Sequence, residues 1–97
     1  MERLVNTERK HELYKAIMSL KTLEECENFF EDLCALNELK TMEQRFEVAQ
    51  MLVSDKVYSE ITEETKASSA TISRVKRMLQ QGHGTMMQVI ERGAQKE

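Results

Sequence analysis

The stretch of sequence that decides the fold covers residues 57–79 and reads VYSEITEETKASSATISRVKRML. Its first part predicts a short helix, and its last part predicts a second helix with an apolar residue every third or fourth position. Lys66-Ala67-Ser68 forms the turn between them, and Ser68 or Ser69 caps the second helix. Two short helices joined by a tight turn are typical of a helix-turn-helix. A plain helical hairpin is the alternative.

Packing of the two helices follows from their apolar residues. The positions predicted to be buried are Ile61, Ala67, Ile72 and Val75. Ala67 must be small because the helices cross closely at the turn. Lys66 stands where such turns most often have glycine, so a left-handed backbone there would cost roughly 1 kcal/mol. A longer, unstrained turn would avoid that cost.

Burial of Ile72 and Val75 would turn the opposite face of the second helix, residues 69–81, outward. Small hydroxyl-bearing residues at its start would let the helix end enter a major groove, and arginines would reach phosphates or guanine edges. We therefore predict that this face binds double-stranded DNA. The alternative is that the face is only solvated. The candidate DNA-binding residues are Lys66, Ser68, Ser69, Ala70, Thr71, Ser73, Arg74, Lys76 and Arg77.

Charge is unevenly distributed along the chain. The net charge is −3, but residues 1–64 hold 8 basic and 15 acidic residues, whereas residues 65–97 hold 6 and 2. No acidic residue occurs between Glu64 and Glu91. This asymmetry indicates an anionic partner for the second half. The acidic first half weakens general attraction to polyanions, so DNA binding would be local and oriented.

Length and composition bound the remaining possibilities. The 97 residues include no proline and three glycines, which favours a single all-α domain. No window of 18 apolar residues and no secretory signal occurs, so we expect a cytoplasmic chain that does not bind membranes. Two histidines, two cysteines and no phosphate-binding glycine loop argue against an enzyme. Cys26 and Cys34 lie about 12 Å apart along a helix, too far for a disulfide, and no metal site is expected.

The first half predicts three more helices. The first runs from about Glu8 to Leu20, and Thr22 caps the second. The second helix has a wide apolar face, which packs either across a dimer interface or within an ordinary core. The residues of that face are Leu23, Cys26, Phe29, Phe30, Leu33, Cys34 and Leu36.

A connection at residues 37–40 leads into the third helix. It is predicted to begin at Thr41, which would form a capping box with Gln44. Its predicted buried side consists of Met42, Phe46, Ala49, Leu52 and Val53. Residues 81–84 would end the helix-turn-helix with a left-handed glycine cap, and Thr85 would cap a last helix.

The chain resembles the tryptophan-repressor superfamily, and most of all its YerC/YecD-type branch of small bacterial regulators. The resemblance is carried by SLKTLEECENFFEDLCALNELKTMEQRFEVAQML and YSEITEETKASSATISRVKRML, within residues 19–79. It implies an all-α fold of about six helices and an intertwined homodimer. It also implies sequence-specific DNA binding and transcriptional repression. Residues 1–97 would form one domain, with core and dimerisation helices in 1–56, the helix-turn-helix in 57–81 and a C-terminal helix in 82–97.

The resemblance also bears on an effector. The family's corepressor pocket uses an arginine that matches Arg74, followed by a glycine where this chain has Val75. A second family arginine aligns with Gln44, and Arg45 comes one residue later, about 100° around a helix. The possible pocket residues are therefore Gln44, Arg45 and Arg74. Because Val75 would occupy the ligand volume, no cofactor is expected, and L-tryptophan or another small-molecule effector is the alternative. The alternative function is a protein-interaction module without DNA binding.

Overall fold

The computed structural model describes residues 11–95, which form six α-helices and no strand. The chain divides into two compact units, the first ending at Leu36 and the second beginning at Asn37. The prediction of an all-α fold is confirmed. The helices are α1 (Glu12–Met18), α2 (Leu23–Leu33), α3 (Leu36–Val53), α4 (Tyr58–Thr65), α5 (Ser69–Gln81) and α6 (Thr85–Gln95).

The boundary between α1 and α2 lies where the sequence predicts it. α1 ends at Met18 with Ser19 as its C-cap, and its predicted start at Glu8 lies outside the described residues. The Thr22 hydroxyl accepts the Glu25 amide N–H at 3.0 Å, and the Glu25 carboxylate accepts the Lys21 N–H at 2.7 Å. One free donor in the first turn of α2 and the N–H of the residue before the cap are thereby satisfied. The predicted cap at Thr22 is confirmed.

The predicted start of the third helix is wrong. α3 begins at Leu36, so residues 37–40 are its first turn and not a connection. These residues include no glycine or proline to stop a helix. The Thr41 hydroxyl donates to the Asn37 carbonyl at 2.9 Å, the bond of a threonine inside a helix. Thr41 therefore forms no capping box, and α2 ends before Leu36.

The core of the second unit gathers residues from α3, α4, α5 and α6. Ile61, Ala67, Ile72 and Val75 are all buried, as predicted. The predicted buried side of α3 needs correction, because Met42 and Phe46 are exposed, Leu52 and Val53 are half-buried and only Ala49 is buried. The longer α3 presents a different stripe to the core. On α3, the buried residues missing from the prediction are Val48 and Met51, and Ile90 of α6 completes the core.

The turn between α4 and α5 is left-handed. Lys66 has φ 65° and ψ 14°, so the longer, unstrained turn does not occur. The predicted left-handed glycine cap of α5 is wrong, because the C-cap Gly82 has φ −81° and is extended. The left-handed glycine is Gly84, with φ 87°, and it directly precedes α6, in which Thr85 is the first residue and not the cap. Glycine is needed at position 82 for space, because an added Cβ would lie 2.6 Å from the Met78 carbonyl oxygen.

We predict that Lys66→Gly raises the free energy of unfolding by about 1 kcal/mol, because glycine adopts positive φ without a Cβ clash. Urea denaturation at matched protein concentration measures the change. Asp55→Gly is the control: Asp55 also has positive φ, 63°, but aspartate tolerates it better, so the gain should be smaller. A loss of stability in Lys66→Gly would contradict the prediction.

Candidate nucleic-acid interface

The start of α5 is held by a side-chain cap. The Ser68 hydroxyl accepts the Thr71 N–H at 3.1 Å and donates to the Thr71 hydroxyl oxygen at 3.2 Å. Of the two predicted caps, Ser68 is therefore the one that forms, and Ser69 is the first residue of α5. This bond satisfies one of the free N–H groups at the helix start. The side chains of Ser68 and Thr71 thus have a structural role in the turn.

The turn itself is organised by Thr65. This side chain is buried, and its hydroxyl donates to the Ile61 carbonyl at 2.8 Å and accepts the Ala67 N–H at 3.1 Å. The Lys66 N–H donates to the Thr62 carbonyl at 2.8 Å, which closes α4. The Thr65 hydroxyl and the backbone N–H groups of Lys66 and Ala67 are therefore satisfied within the chain.

Gln44 links α3 to this turn. Its side-chain amide nitrogen donates to the Thr65 backbone carbonyl at 3.0 Å in a half-buried position. That carbonyl belongs to the last residue of α4 and has no partner within the helix. The helix-turn-helix is thereby tied to α3 through one side chain. Sequence reasoning missed this bond, although Gln44 precedes the buried Val48 by four residues and so shares its face of α3.

The outer face of α5 is polar and basic. Ile72 and Val75 are 0% and 2% exposed, and Arg74 and Arg77 lie about 200° and 140° around the helix from Ile72. The two arginines therefore point away from the core, on either side of the outermost line of the helix. Of the residues predicted for DNA binding, Thr71 is half-buried, and the others are exposed: Lys66, Ser68, Ser69, Ala70, Ser73, Arg74, Lys76 and Arg77.

Lys76 belongs to a different side of α5 from the arginines. It lies about 40° from Ile72 around the helix, on the flank of the buried face. Its ammonium nitrogen lies 5.9 Å from the ring centroid of Tyr58, the first residue of α4. Sequence reasoning grouped Lys76 with Arg74 and Arg77. The structure separates them.

The three possible effector residues have different surroundings. Gln44 is bonded to Thr65, while Arg45 and Arg74 are exposed. Among residues 11–95, no hydrogen bond or ion pair joins these three side chains. A separate hollow of about 200 Å³ lies between the end of α5 and the start of α6, lined by methionines and His83.

Cys26 and Cys34 are free and half-buried. Within the described part of the chain, no group of three potential metal ligands comes together. No helix described here has the length and apolar content needed to cross a membrane.

Two short helices around a left-handed turn, with a basic face on the second, define the class: a helix-turn-helix protein of the kind found in regulators. The family model described as Trp repressor protein matches residues 8–94. The chain therefore belongs to the Trp repressor family, which is a family of regulators and not of enzymes. The resemblance found in residues 19–79 is confirmed.

The chain is similar to proteins from three other sources. It is 49% identical over 81 residues to the uncharacterized protein YerC of Bacillus subtilis strain 168. The aligned residues make up 84% of this chain and 78% of YerC. It is 40% identical to a proposed Trp repressor from Staphylococcus aureus, whose crystal structure matches with a TM-score of 0.86 over 96% of both chains. A TrpR-like protein from Eubacterium eligens is 46% identical, with a TM-score of 0.86 over 92% of this chain and 95% of that one. The TrpR-like fold is therefore confirmed.

We predict that Thr65→Val destabilises the chain by about 1–3 kcal/mol, because it leaves the buried Ala67 N–H without an acceptor at almost constant side-chain volume. Thr65→Ser is the matched control, since it keeps the hydroxyl and loses one methyl group, at a cost of about 0.8 kcal/mol. Urea unfolding at one protein concentration compares the two variants. Equal stability of Thr65→Val and wild type would show that the hydroxyl does not hold the turn.

Proposed function

We propose that this protein is a sequence-specific regulator that binds double-stranded DNA, represses transcription and reads the major groove with α5. The observation that carries the proposal is the outward basic face of α5, with Arg74 and Arg77 exposed opposite the buried Ile72 and Val75. Because one side of α5 is apolar and buried and the other is polar and exposed, the helix can enter a groove while its apolar side chains stay in the protein core.

The residues of this face suit different parts of a DNA duplex. Ser69, Ala70 and Ser73 are small, so the first turns of α5 approach the bases closely. Arg74 and Arg77 reach guanine edges or phosphates. Lys66 lies in the turn, beside the positive end of the α5 helix dipole, where a phosphate is favoured. Thr71 is half-buried, so we assign it a smaller part in base contact.

Charge supports an oriented mode of binding. Residues 65–90 contain no acidic residue, whereas residues 1–64 have a net charge of −7. The turn and α5 are therefore the part of the sequence that attracts a polyanion, whereas the residues before them carry the acidic charge.

We propose a homodimer as the unit that binds. In α2, Leu23 is 75% exposed and Leu33 is 55% exposed, and no side chain of this helix is buried within the chain. Of the two roles left open for the wide face of α2, packing across a dimer interface is the one this exposure favours. Residues 1–56 would supply dimerisation and core helices, 57–81 the helix-turn-helix and 82–97 the C-terminal helix.

We further propose that DNA binding requires no small-molecule effector. Gln44 is already engaged by the Thr65 carbonyl, and Val75 is 2% exposed within the core. Of the pocket that the resemblance implies, only the exposed Arg45 and Arg74 remain available to a ligand. A tryptophan would have to displace Val75 from a packed position, which costs stability.

We predict that Arg74→Ala/Arg77→Ala weakens DNA binding at least about tenfold, since each arginine contact contributes about 1–3 kcal/mol. If both arginines reach phosphates, the slope of log K against log salt concentration falls by about 1.8, or 0.9 per lost contact. Fluorescence anisotropy over a series of salt concentrations measures both quantities.

Lys21→Ala/Lys40→Ala is the charge-matched control for this experiment. It also removes two positive charges from exposed positions, but from the acidic half of the chain. Affinity and slope should stay close to wild type. A folded Arg74/Arg77 variant that behaves like this control would contradict the proposed function.

We predict that selection of genomic fragments by the pure protein, at about 0.15 M salt, enriches a site with two-fold symmetry. Its half-sites should lie 34–36 Å, about one helical turn, apart, because each subunit would place one α5 in successive major grooves. Enrichment should be the same with and without L-tryptophan. An asymmetric site would contradict the dimer, and enrichment only with tryptophan would contradict binding without an effector.

A protein-interaction module without DNA binding is the second candidate. The strongly acidic first half, with its exposed apolar side chains on α2, favours it. Such a module would show no salt-sensitive binding to DNA and would retain a specific protein from a cell lysate. The selection and the anisotropy series therefore separate the two functions.

A further inference from the structure

Lys76 is placed where a groove-reading side chain would not be. From its position on the α5 flank, about 40° from the buried Ile72, it cannot point along the outermost line of the helix, which Arg74 and Arg77 border. A helix seated in a major groove has the sugar-phosphate backbone along its flanks and the base edges in front of it. The position of Lys76 therefore fits a phosphate better than a base.

Tyr58 holds this lysine from the neighbouring helix. The Lys76 ammonium nitrogen lies 5.9 Å from the Tyr58 ring centroid, within the range of a cation–π interaction. Tyr58 is 37% exposed, so the ring is open enough to solvent for the ammonium above it to meet another molecule. The contact joins the first residue of α4 to the second half of α5.

We propose that Tyr58 is a positioning residue for DNA binding, which holds the Lys76 ammonium on the flank of α5 for contact with a phosphate of the DNA backbone. The inference rests on the proposed function and adds to it a division of labour among the basic residues. Arg74 and Arg77 face the groove, and Lys76 contacts its edge.

The contact with Tyr58 would strengthen DNA binding by reducing the side-chain entropy that Lys76 loses when it binds. A lysine has a flexible four-carbon stem, and ordering it on binding costs conformational entropy. A ring that already restricts the stem in the free protein removes part of that cost before DNA arrives. An aromatic ring without a hydroxyl should serve equally well, because the ring face makes the contact.

A double-mutant cycle tests the inference. We would compare wild type with Tyr58→Phe, Tyr58→Leu, Lys76→Met and Tyr58→Leu/Lys76→Met, using a fluorescein-labelled duplex of mixed sequence at low salt. Mixed sequence is sufficient because phosphate contacts do not depend on sequence. Tyr58→Leu should weaken binding about two- to fivefold, as expected for loss of one exposed cation–π contact. Tyr58→Phe should bind like wild type, and Lys76→Met should lower the salt slope by about 0.9.

The decisive comparison is the effect of Tyr58→Leu in two lysine backgrounds. In Lys76→Met it should vanish, because the residue that Tyr58 positions is gone. In Lys66→Met, which also removes one lysine of the motif, it should remain at two- to fivefold. Lys76 ε-methylene protons in the DNA-free protein should show an upfield ring-current shift in wild type and Tyr58→Phe, and lose it in Tyr58→Leu.

Each other result overturns the inference in a recognisable way. If Tyr58→Leu weakens binding equally with and without Lys76, Tyr58 acts only through stability of the fold. If Tyr58→Leu has no effect on binding, the ring contact does not assist Lys76. If wild type shows no salt-sensitive binding to the duplex, the proposed function itself fails. If the Arg74/Arg77 variant loses binding but the effects of Tyr58→Leu and Lys76→Met are additive, the proposed function stands and only the role of Tyr58 is removed.

Discussion

The buried hydroxyl of Thr65 is the interaction on which the helix-turn-helix depends. A left-handed residue directly after α4 reverses the chain within three residues, and the Ala67 N–H that follows is buried. Without the Thr65 hydroxyl, that N–H would lack an acceptor at a cost of about 1–3 kcal/mol. The same residue offers its carbonyl to Gln44, so one position both closes the turn and ties it to α3. The direction of α5 relative to α3 follows from these bonds together with the packing of Ile61, Ala67, Ile72 and Val75.

Once α5 is held in this way, the angle of each residue around the helix decides whether its side chain is buried or exposed. Apolar side chains every third or fourth residue complete the core, and the positions between them divide into an outer face and a flank. Arginines occupy the outer face, and the lysine on the flank meets an aromatic ring from α4. Lys76 therefore has different surroundings from Arg74 and Arg77, although the three residues are close in sequence. Arginine suits a bidentate contact with a base or a phosphate, whereas lysine acts as a point charge toward phosphate.

Membership of the Trp repressor family raises the question of an effector, and two positions bear on it. The family model covers residues 8–94, so the positions that the resemblance assigns to a corepressor have counterparts here. Gln44 and Val75 stand at two of them, and both are used inside the chain, one in a hydrogen bond and the other in the core. A chain that satisfies these positions with its own groups has less room for a ligand. This is the physical basis for proposing that it binds DNA without one.

The sequence by itself determined the all-α class, the helix-turn-helix, its four central buried residues and the basic face of α5, because helical periodicity and turn chemistry are local properties. It failed at the start of α3, where threonine and glutamine imitate a capping box although no glycine or proline interrupts the helix before them. It also could not show that Gln44 bonds to Thr65, 21 residues away, or that Lys76 meets Tyr58. Only the tertiary structure decided those pairs, since a side-chain partner across two helices depends on how the helices pack and leaves no regular spacing in the chain.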